Sequence, residues 1–372
     1  MTGSDGRPDK QEKIFMDERF LISEIMELVN SGTAFTDIHI EQDSPVMVRG
    51  PGGWVETDKI EPATRDDLAG LLEKIDLDWA DNIKIRSINR PYNLSNWRLR
   101  VNVFLAAGGS KIAMSIRKMP LRPMTLEDTG LPASVRLMVE QPRGIILVGG
   151  ATGSGKSTTM AAMIDMVNAT RNAHIVTIED PIEYVHERKK SILSQREVGV
   201  DVVSYYDGIK DAMRQRPDVI MIAEVRDKDS ADTALLAAES GHLVLASLHA
   251  NNAVGTIQKL LSFFPRDERE SKVAALSNSL VGVLSQILLP TADKTGFALA
   301  AELLFNNNGQ ISKFVGDTDK LNAAIERRED KISRSMSDAL VDLVSKGVVS
   351  KSDAIKMSAD SAVMYERLKA FA

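Results

Sequence analysis

The run Gly150-Ala151-Thr152-Gly153-Ser154-Gly155-Lys156-Ser157 constrains this chain more than any other feature. It fits the phosphate-binding pattern G-x-x-x-x-G-K-[ST], the Walker A loop. Its flanks agree: the apolar run Ile145-Ile146-Leu147-Val148 precedes it, and Met160, Met163, Ile164 and Val167 recur on one helical face after it. A strand, a glycine turn and a helix N-terminus let backbone N–H groups curl around phosphate oxygens, while the helix end adds partial positive charge. Gly150, Thr152, Gly153, Ser154, Gly155 and Thr158 are therefore candidate nucleotide contacts. Lys156 is expected to reach the β- and γ-phosphates and the Ser157 hydroxyl to ligate Mg2+. ATP with Mg2+ is the expected ligand pair.

The texture around the loop sets the fold class. Short apolar runs at 144–149, 173–178, 219–223, 242–248 and 297–305 alternate with helical patterns. Continuous apolar strands between helices indicate a mostly parallel sheet covered on both faces, an α/β architecture. The earlier part of the chain reads differently. Phe20, Leu21, Ile25, Leu28 and Val29 fill one helical face, and Ser31-Gly32 stops that helix. Strand patterns follow at 37–41 and 46–48, a turn at Gly50-Pro51-Gly52-Gly53, a helix near 65–75, a clean alternation over 97–104, and a second run at 112–117 after Gly108-Gly109. This is a small α+β unit. Two prolines within Lys118-Met119-Pro120-Leu121-Arg122-Pro123 favour an extended linker there. The expected domains are thus 1–119, with a loose lead-in over 1–16, and 120–372, with a helical tail from about 312 that includes segments at 335–343 and 351–355.

A phosphate loop needs acidic groups to organise metal and water. Thr177-Ile178-Glu179-Asp180-Pro181-Ile182-Glu183 ends the next strand, where α/β sheets place their ligands. Val219-Ile220-Met221-Ile222-Ala223-Glu224 is an apolar strand ending in Glu, the form of a Walker B. One carboxylate can hold Mg2+ through water and another can orient and deprotonate an attacking water, or Glu179 and Asp180 can simply cap a turn. His249 ends a strand at its C-terminal side and is a candidate γ-phosphate sensor, whereas His242 at the other end is expected to pack or bond locally. Arg98, Arg100 and Arg117 lie in the first domain. On exposed strands such residues are ordinarily solvated, but a phosphoryl-transfer site needs opposing positive charge, worth roughly 10³–10⁵ in rate where a finger supplies it.

Four ordered blocks resemble the secretion-superfamily ATPases of type II secretion, type IV pili and conjugation. They are the Walker A, an Asp box (Ile178-Glu179-Asp180-Pro181-Ile182-Glu183), an unusual Walker B (Ile222-Ala223-Glu224-Val225-Arg226-Asp227) and a His box (Ala238-Glu239-Ser240-Gly241-His242 to His249). Thr36-Asp37-Ile38-His39 and Arg98-Leu99-Arg100-Val101-Asn102 also resemble that family's N-terminal domain, so the match runs from about 36 to 264. The resemblance implies a PAS-like domain joined to a RecA-like P-loop core, assembled as a homo-hexameric ring. It implies that Glu183 activates water, that Glu224 is the magnesium-associated glutamate, that His249 contacts the γ-phosphate, and that Arg98, Arg100 and Arg117 complete the site. The chain is most similar to the pilus retraction ATPases: with no cysteine it cannot build the four-cysteine zinc element of assembly and type II secretion ATPases, and the stretch 165–187 and Gln195-Arg196-Glu197-Val198-Gly199 resemble that subgroup. It departs in carrying Ala223 where Gly is usual, and 309–314 lacks the subgroup's arginine-containing apolar motif.

These blocks imply a cytoplasmic motor that hydrolyses ATP to retract a type IV pilus, acting on an inner-membrane platform protein. A motor for conjugation or protein export, and an ATP-binding regulatory ring that hydrolyses little, are the alternatives; an intact Glu183 speaks against the last. The absence of cysteine excludes disulfides and thiolate metal sites and fits a reducing compartment. The polar start MTGSDGRPDKQEK lacks a signal-peptide core, and no apolar run approaches the roughly 18 residues of a membrane span. A net charge of −6 without a basic–aromatic stripe makes nucleic acid an unexpected partner.

Overall fold

The computed structural model describes residues 20–94, 96–306, 309–328 and 332–371; the lead-in expected over 1–16 lies outside them. The chain divides into two compact units, one ending at Met119 and the next starting at Pro120.

The first unit runs α1 (Leu21–Asn30), β1 (Asp37–Glu41), β2 (Met47–Gly50), β3 (Gly53–Glu56), α2 (Arg65–Ile75), α3 (Trp79–Ile85), β4 (Ile88–Leu94), β5 (Trp97–Ala106) and β6 (Lys111–Pro120). α1 buries Leu21, Ile25, Leu28 and Val29, the set its periodicity marks, while Phe20 stays outside the helix and exposed. α2 starts where Thr64 and Asp67 close a reciprocal capping box. The strands order as β3-β2-β1-β6-β5-β4. Alternation along β5 sends Leu99, Val101 and Val103 into the core and leaves Arg98, Arg100 and Asn102 on the other face. The expected linker at 118–123 is corrected at its start, because β6 continues through Lys118, Met119 and Pro120. The reason is local: the Lys118 N–H pairs with the Thr36 carbonyl at 2.9 Å, and its ammonium sits over the rings of Phe35 and Trp97.

The second unit runs α4 (Val135–Val139), β7 (Gly144–Gly149), α5 (Lys156–Thr170), β8 (His174–Glu179), β9 (Ile192–Glu197), α6 (Tyr205–Ala212), β10 (Val219–Ile222), α7 (Lys228–Glu239), β11 (Leu243–Leu248), α8 (Ala253–Ser262), α9 (Arg269–Ser279), β12 (Leu280–Pro290), β13 (Phe297–Phe305), α10 (Thr318–Arg327), α11 (Met336–Ser345), α12 (Lys351–Met357) and α13 (Ser361–Leu368). Seven strands order as β13-β12-β7-β11-β10-β8-β9, parallel throughout except for β13. Both faces are covered. Along β7, Ile145 and Leu147 join a core with α6, α7 and α8, while Ile146 and Val148 join another with α4 and α5. The helical tail packs α11, α12 and α13 against Leu289, Ala298 and Ala300 of β12 and β13. Within it, the Asp338 carboxylate is partly buried yet held at a pKa of about 2 by the guanidiniums of Arg367 and Arg328.

Candidate functional site

Parallel strands put all their C-terminal ends at one edge, which is why blocks far apart in sequence meet. β11 pairs with β7 so that Leu248 faces Gly149, which brings His249 beside the start of the phosphate loop. β10 lies between β11 and β8, with Ile222 facing Ala246 on one side and Ile178 on the other. The same edge therefore carries Gly150–Lys156, His249, Glu224 and Glu179 in spatial order.

The loop itself is closed and tightly walled. Ser154 N–H donates to the Ala151 carbonyl at 3.2 Å, and Gln286 Nε2 on β12 donates to the Ser154 carbonyl at 2.7 Å. Gly150 has φ 153, and a Cβ there would lie 2.8 Å from the Gln286 carbonyl oxygen, so only glycine fits. Thr152 and Gly153 are exposed at the tip, Ser154 is buried with an unpartnered hydroxyl, and Gly155 caps the start of α5. Lys156 opens α5, and its Nζ donates to the carbonyls of Gly150 (2.8 Å) and Ala151 (3.0 Å). Partial burial lowers its pKa, against the opposing charges of Glu224 and Glu183. Ser157 follows it, and the Thr158 hydroxyl meets the Tyr184 hydroxyl at 2.8 Å.

Beside the loop runs a chain of polar and charged side chains. Lys156 Nζ lies 3.5 Å from His249 Nδ1, and His249 Nε2 lies 3.2 Å from Glu224 Oε1. Arg226 then bridges Glu224 (3.0 Å) and Asp180 (3.2 Å). The strand end that carries Glu224 is pinned to its neighbours: Ala223 N–H bonds the Ile178 carbonyl, Ser247 Oγ bonds the Ala223 carbonyl, and Val225 N–H bonds the Ser247 carbonyl. Glu224 itself is one-fifth exposed.

Glu179 and Glu183 divide in character. Glu179 is buried; burial raises its pKa, and it accepts hydrogen bonds from Thr177 Oγ1 (2.7 Å), Gln195 Nε2 (3.2 Å) and the Glu183 N–H (3.4 Å). The Glu183 side chain is half-buried, and no described residue hydrogen-bonds or ion-pairs with its carboxylate. It lines a recess of about 80 Å³ with Ser157, Glu179, Asp180, His186 and Glu224. An uncommitted carboxylate facing that recess is free to act on water, whereas Glu179 is committed to holding the loop.

The donor set suits Mg2+. The Ser157 hydroxyl and the Glu224 carboxylate are hard oxygen donors lining one recess. No cluster of three His, Cys, Asp or Glu capable of holding a metal exists among the described residues, so phosphate oxygens and water would supply most of the ligands.

His242 sits away from this edge, its Nδ1 2.9 Å from the Ala237 carbonyl, a local contact as expected. Arg98, Arg100 and Arg117 belong to the first unit. Arg98 and Arg100 are half-buried on β5, opposite Asn93 and Pro91, and Arg117 Nε pairs with Asp37 at 2.9 Å. Sequence reasoning gave no site role to Arg226, Gln195, Gln286, Tyr184 or His186, although Arg226 stands in the Walker B block, Gln195 opens the run 195–199, and Tyr184 and His186 fall within the stretch 165–187. Gln286, 132 residues from Ser154, carries no local signal.

A parallel sheet walled by helices, with a glycine cradle, a lysine and carboxylates at one edge, is the architecture of a P-loop nucleotide-binding protein. Residues 87–332 match the family described as "Type II/IV secretion system protein". The chain is 38% identical over 269 residues to a twitching motility protein of Neisseria gonorrhoeae, covering 72% of this chain and 71% of that one. It is 33% identical over 324 residues to the type IV pilus retraction ATPase PilT of Pseudomonas aeruginosa, covering 86% and 93%. The crystal structure of the pilus retraction motor PilT with bound ADP aligns at a TM-score of 0.77 and 35% identity, over 92% of this chain and 99% of that one. The chain belongs to the type II/IV secretion system protein family. The resemblance drawn from its four motif blocks holds, as does the α/β class: a mostly parallel RecA-like core preceded by a small α+β unit.

Proposed function

We propose that this chain is a motor ATPase that hydrolyses ATP to ADP and phosphate and powers retraction of a type IV pilus. The observation that carries the chemistry is the sheet edge where Glu224 and an uncommitted Glu183 line one recess, with Lys156 reaching Glu224 through His249. The names of the relatives carry the biological direction.

In this reading Lys156 leaves the Gly150 and Ala151 carbonyls to neutralise the β- and γ-phosphates, and the loop N–H groups cradle them. Ser157 and Glu224 would hold Mg2+, which when bound neutralises phosphate charge and orients the triphosphate. Glu183 accepts a proton from water as the water oxygen bonds to the γ-phosphorus and the bond to the ADP oxygen breaks. His249 stands between Lys156 and Glu224, where it can register whether a γ-phosphate is present. Arg98, Arg100 and Arg117 are proposed to supply charge to the site in a homo-hexameric ring, and a platform protein at the inner membrane is the proposed partner. The motor is proposed to work in the cytoplasm at that membrane's surface. No described helix is long and apolar enough to cross it.

Replacing the native allele with Glu183→Gln tests both chemistry and direction. The expected cells carry many surface pili and do not twitch. Unchanged pili and motility would overturn the retraction reading and direct the search to secretion and conjugation, which the family's description also spans.

A further inference from the structure

Residues 180–189 carry Glu183, yet none of them makes a backbone–backbone hydrogen bond with any described residue. Side chains hold the segment instead. Ile182 N–H donates to Glu197 Oε2 (3.1 Å), Glu183 N–H to Glu179 Oε2 (3.4 Å), His186 N–H to Gln195 Oε1 (3.0 Å) and Lys189 N–H to Asn168 Oδ1 (3.0 Å).

Gln195, on β9, is the hub. Its Nε2 donates to the Tyr184 carbonyl at 2.8 Å, and its Oε1 accepts from the His186 N–H. One primary amide thus reproduces the donor–acceptor pair that a neighbouring strand would offer. The same Nε2 donates to Glu179 Oε1, and the other oxygen of Glu179 accepts the Glu183 N–H. Gln195 therefore grips the chain on both sides of Glu183: directly at Tyr184 and His186, and through Glu179 at Glu183 itself. It touches no position where a nucleotide is expected.

We propose that Gln195 is the positioning residue for Glu183, setting where its carboxylate stands relative to the phosphate loop. The inference rests on the reading of Glu183 as the water-activating group. A misplacement of about 1 Å at a reacting group can cost on the order of a hundredfold in rate while leaving binding intact.

The test uses the full chain and two variants. Gln195→Ala removes the amide; Gln195→Glu keeps its shape and removes both donors, so it guards against a variant that fails to fold. Steady-state ATP hydrolysis, affinity for a fluorescent ADP analogue and Tm are measured for each. The expected result is a kcat lowered about ten- to a hundredfold in both variants, with KM and ADP affinity within about threefold of wild type. In the Glu183→Gln background, Gln195→Ala should then bring no further loss, since both changes disable one group. An inactive Glu183→Gln beside a Gln195→Glu of full kcat would overturn this inference alone. Losses that multiply in the double variant, or that bring down ADP affinity in step with kcat, would also overturn it. Full activity in Glu183→Gln would remove the role of Glu183 and this inference with it.

Discussion

The phosphate loop and the loop after β8 stand at neighbouring strand ends and are held by opposite means. The first is closed by its own backbone, walled by Gln286, and has no space for a Cβ at Gly149 or Gly150. The second, residues 180–189, is suspended from the side chains of Glu179, Glu197, Gln195 and Asn168. A wall of backbone and packed atoms resists displacement more strongly than a few side-chain hydrogen bonds worth about 1 kcal/mol each. The difference separates two tasks: the phosphate loop presents a ready-made binding geometry, and the suspended loop places a reacting group that can be retuned without rebuilding the site. Changes in the first should therefore abolish binding, and changes in the second should alter turnover or stability.

The largest expected effect breaks the rigid side. Lys156→Ala removes the only cation inside the phosphate loop and should lower ATP affinity by at least about a hundredfold, with turnover falling at least as far. Titration with a fluorescent ATP analogue beside a phosphate-release assay reads both quantities. Binding retained with turnover lost would mean that Lys156 acts only in the chemical step, and the contrast between the loops would fail.

How much of this was legible in the sequence follows the same division. The phosphate loop, β7 and α5 were readable because their geometry is local: glycines, a lysine and a helical face within about twenty residues. Glu179, Glu224 and His249 were readable as strand ends, since parallel strands deliver such ends to one edge. The suspension of the second loop was not. Gln195 lies on β9, an edge strand of mixed and half-exposed residues with no alternation, and β9 itself went unpredicted. β4, carrying Pro91 at the edge of the first sheet, escaped for a similar reason. β12 follows α9 with neither glycine nor proline at the junction of Ser279 and Leu280, so no breaker announced it. Polar side chains that bond a distant backbone leave no periodic trace.

A smaller effect concerns stability on the suspended side. His186 is buried there, with Nδ1 unpartnered among the described residues, and burial lowers its pKa from 6.5 to about 4. A base held below its ordinary value stays neutral in the folded chain while the unfolded chain takes up a proton. Stability is thus intact above pH 6.5 and drains as pH falls toward about 4, by about 2 kcal/mol at pH 5 and about 3 kcal/mol at pH 4. His186→Leu, of similar volume and without a titrating ring, should lack this share of the acid loss. Urea denaturation of both proteins at about pH 7.5 and about pH 5, roughly one unit above and one and a half units below the ordinary imidazole value, measures the difference. Parallel losses in the two proteins would show that the imidazole is already protonated or solvated in the folded chain.

The smallest effect sharpens the comparison, because it sits where the two loops touch. The Tyr184 hydroxyl meets Thr158 on α5 at 2.8 Å, one residue after Glu183 on one side and two after Lys156 on the other. Tyr184→Phe removes that bond and little packing, so stability should fall by about 1 kcal/mol. If Gln195 and its fellow side chains set the position of Glu183, kcat should fall no more than severalfold and ATP affinity should not move. A kcat loss approaching that of Gln195→Ala would instead mean that the suspended loop takes its bearing from the rigid one, through a single hydroxyl, and the two regions would have to be treated as one element.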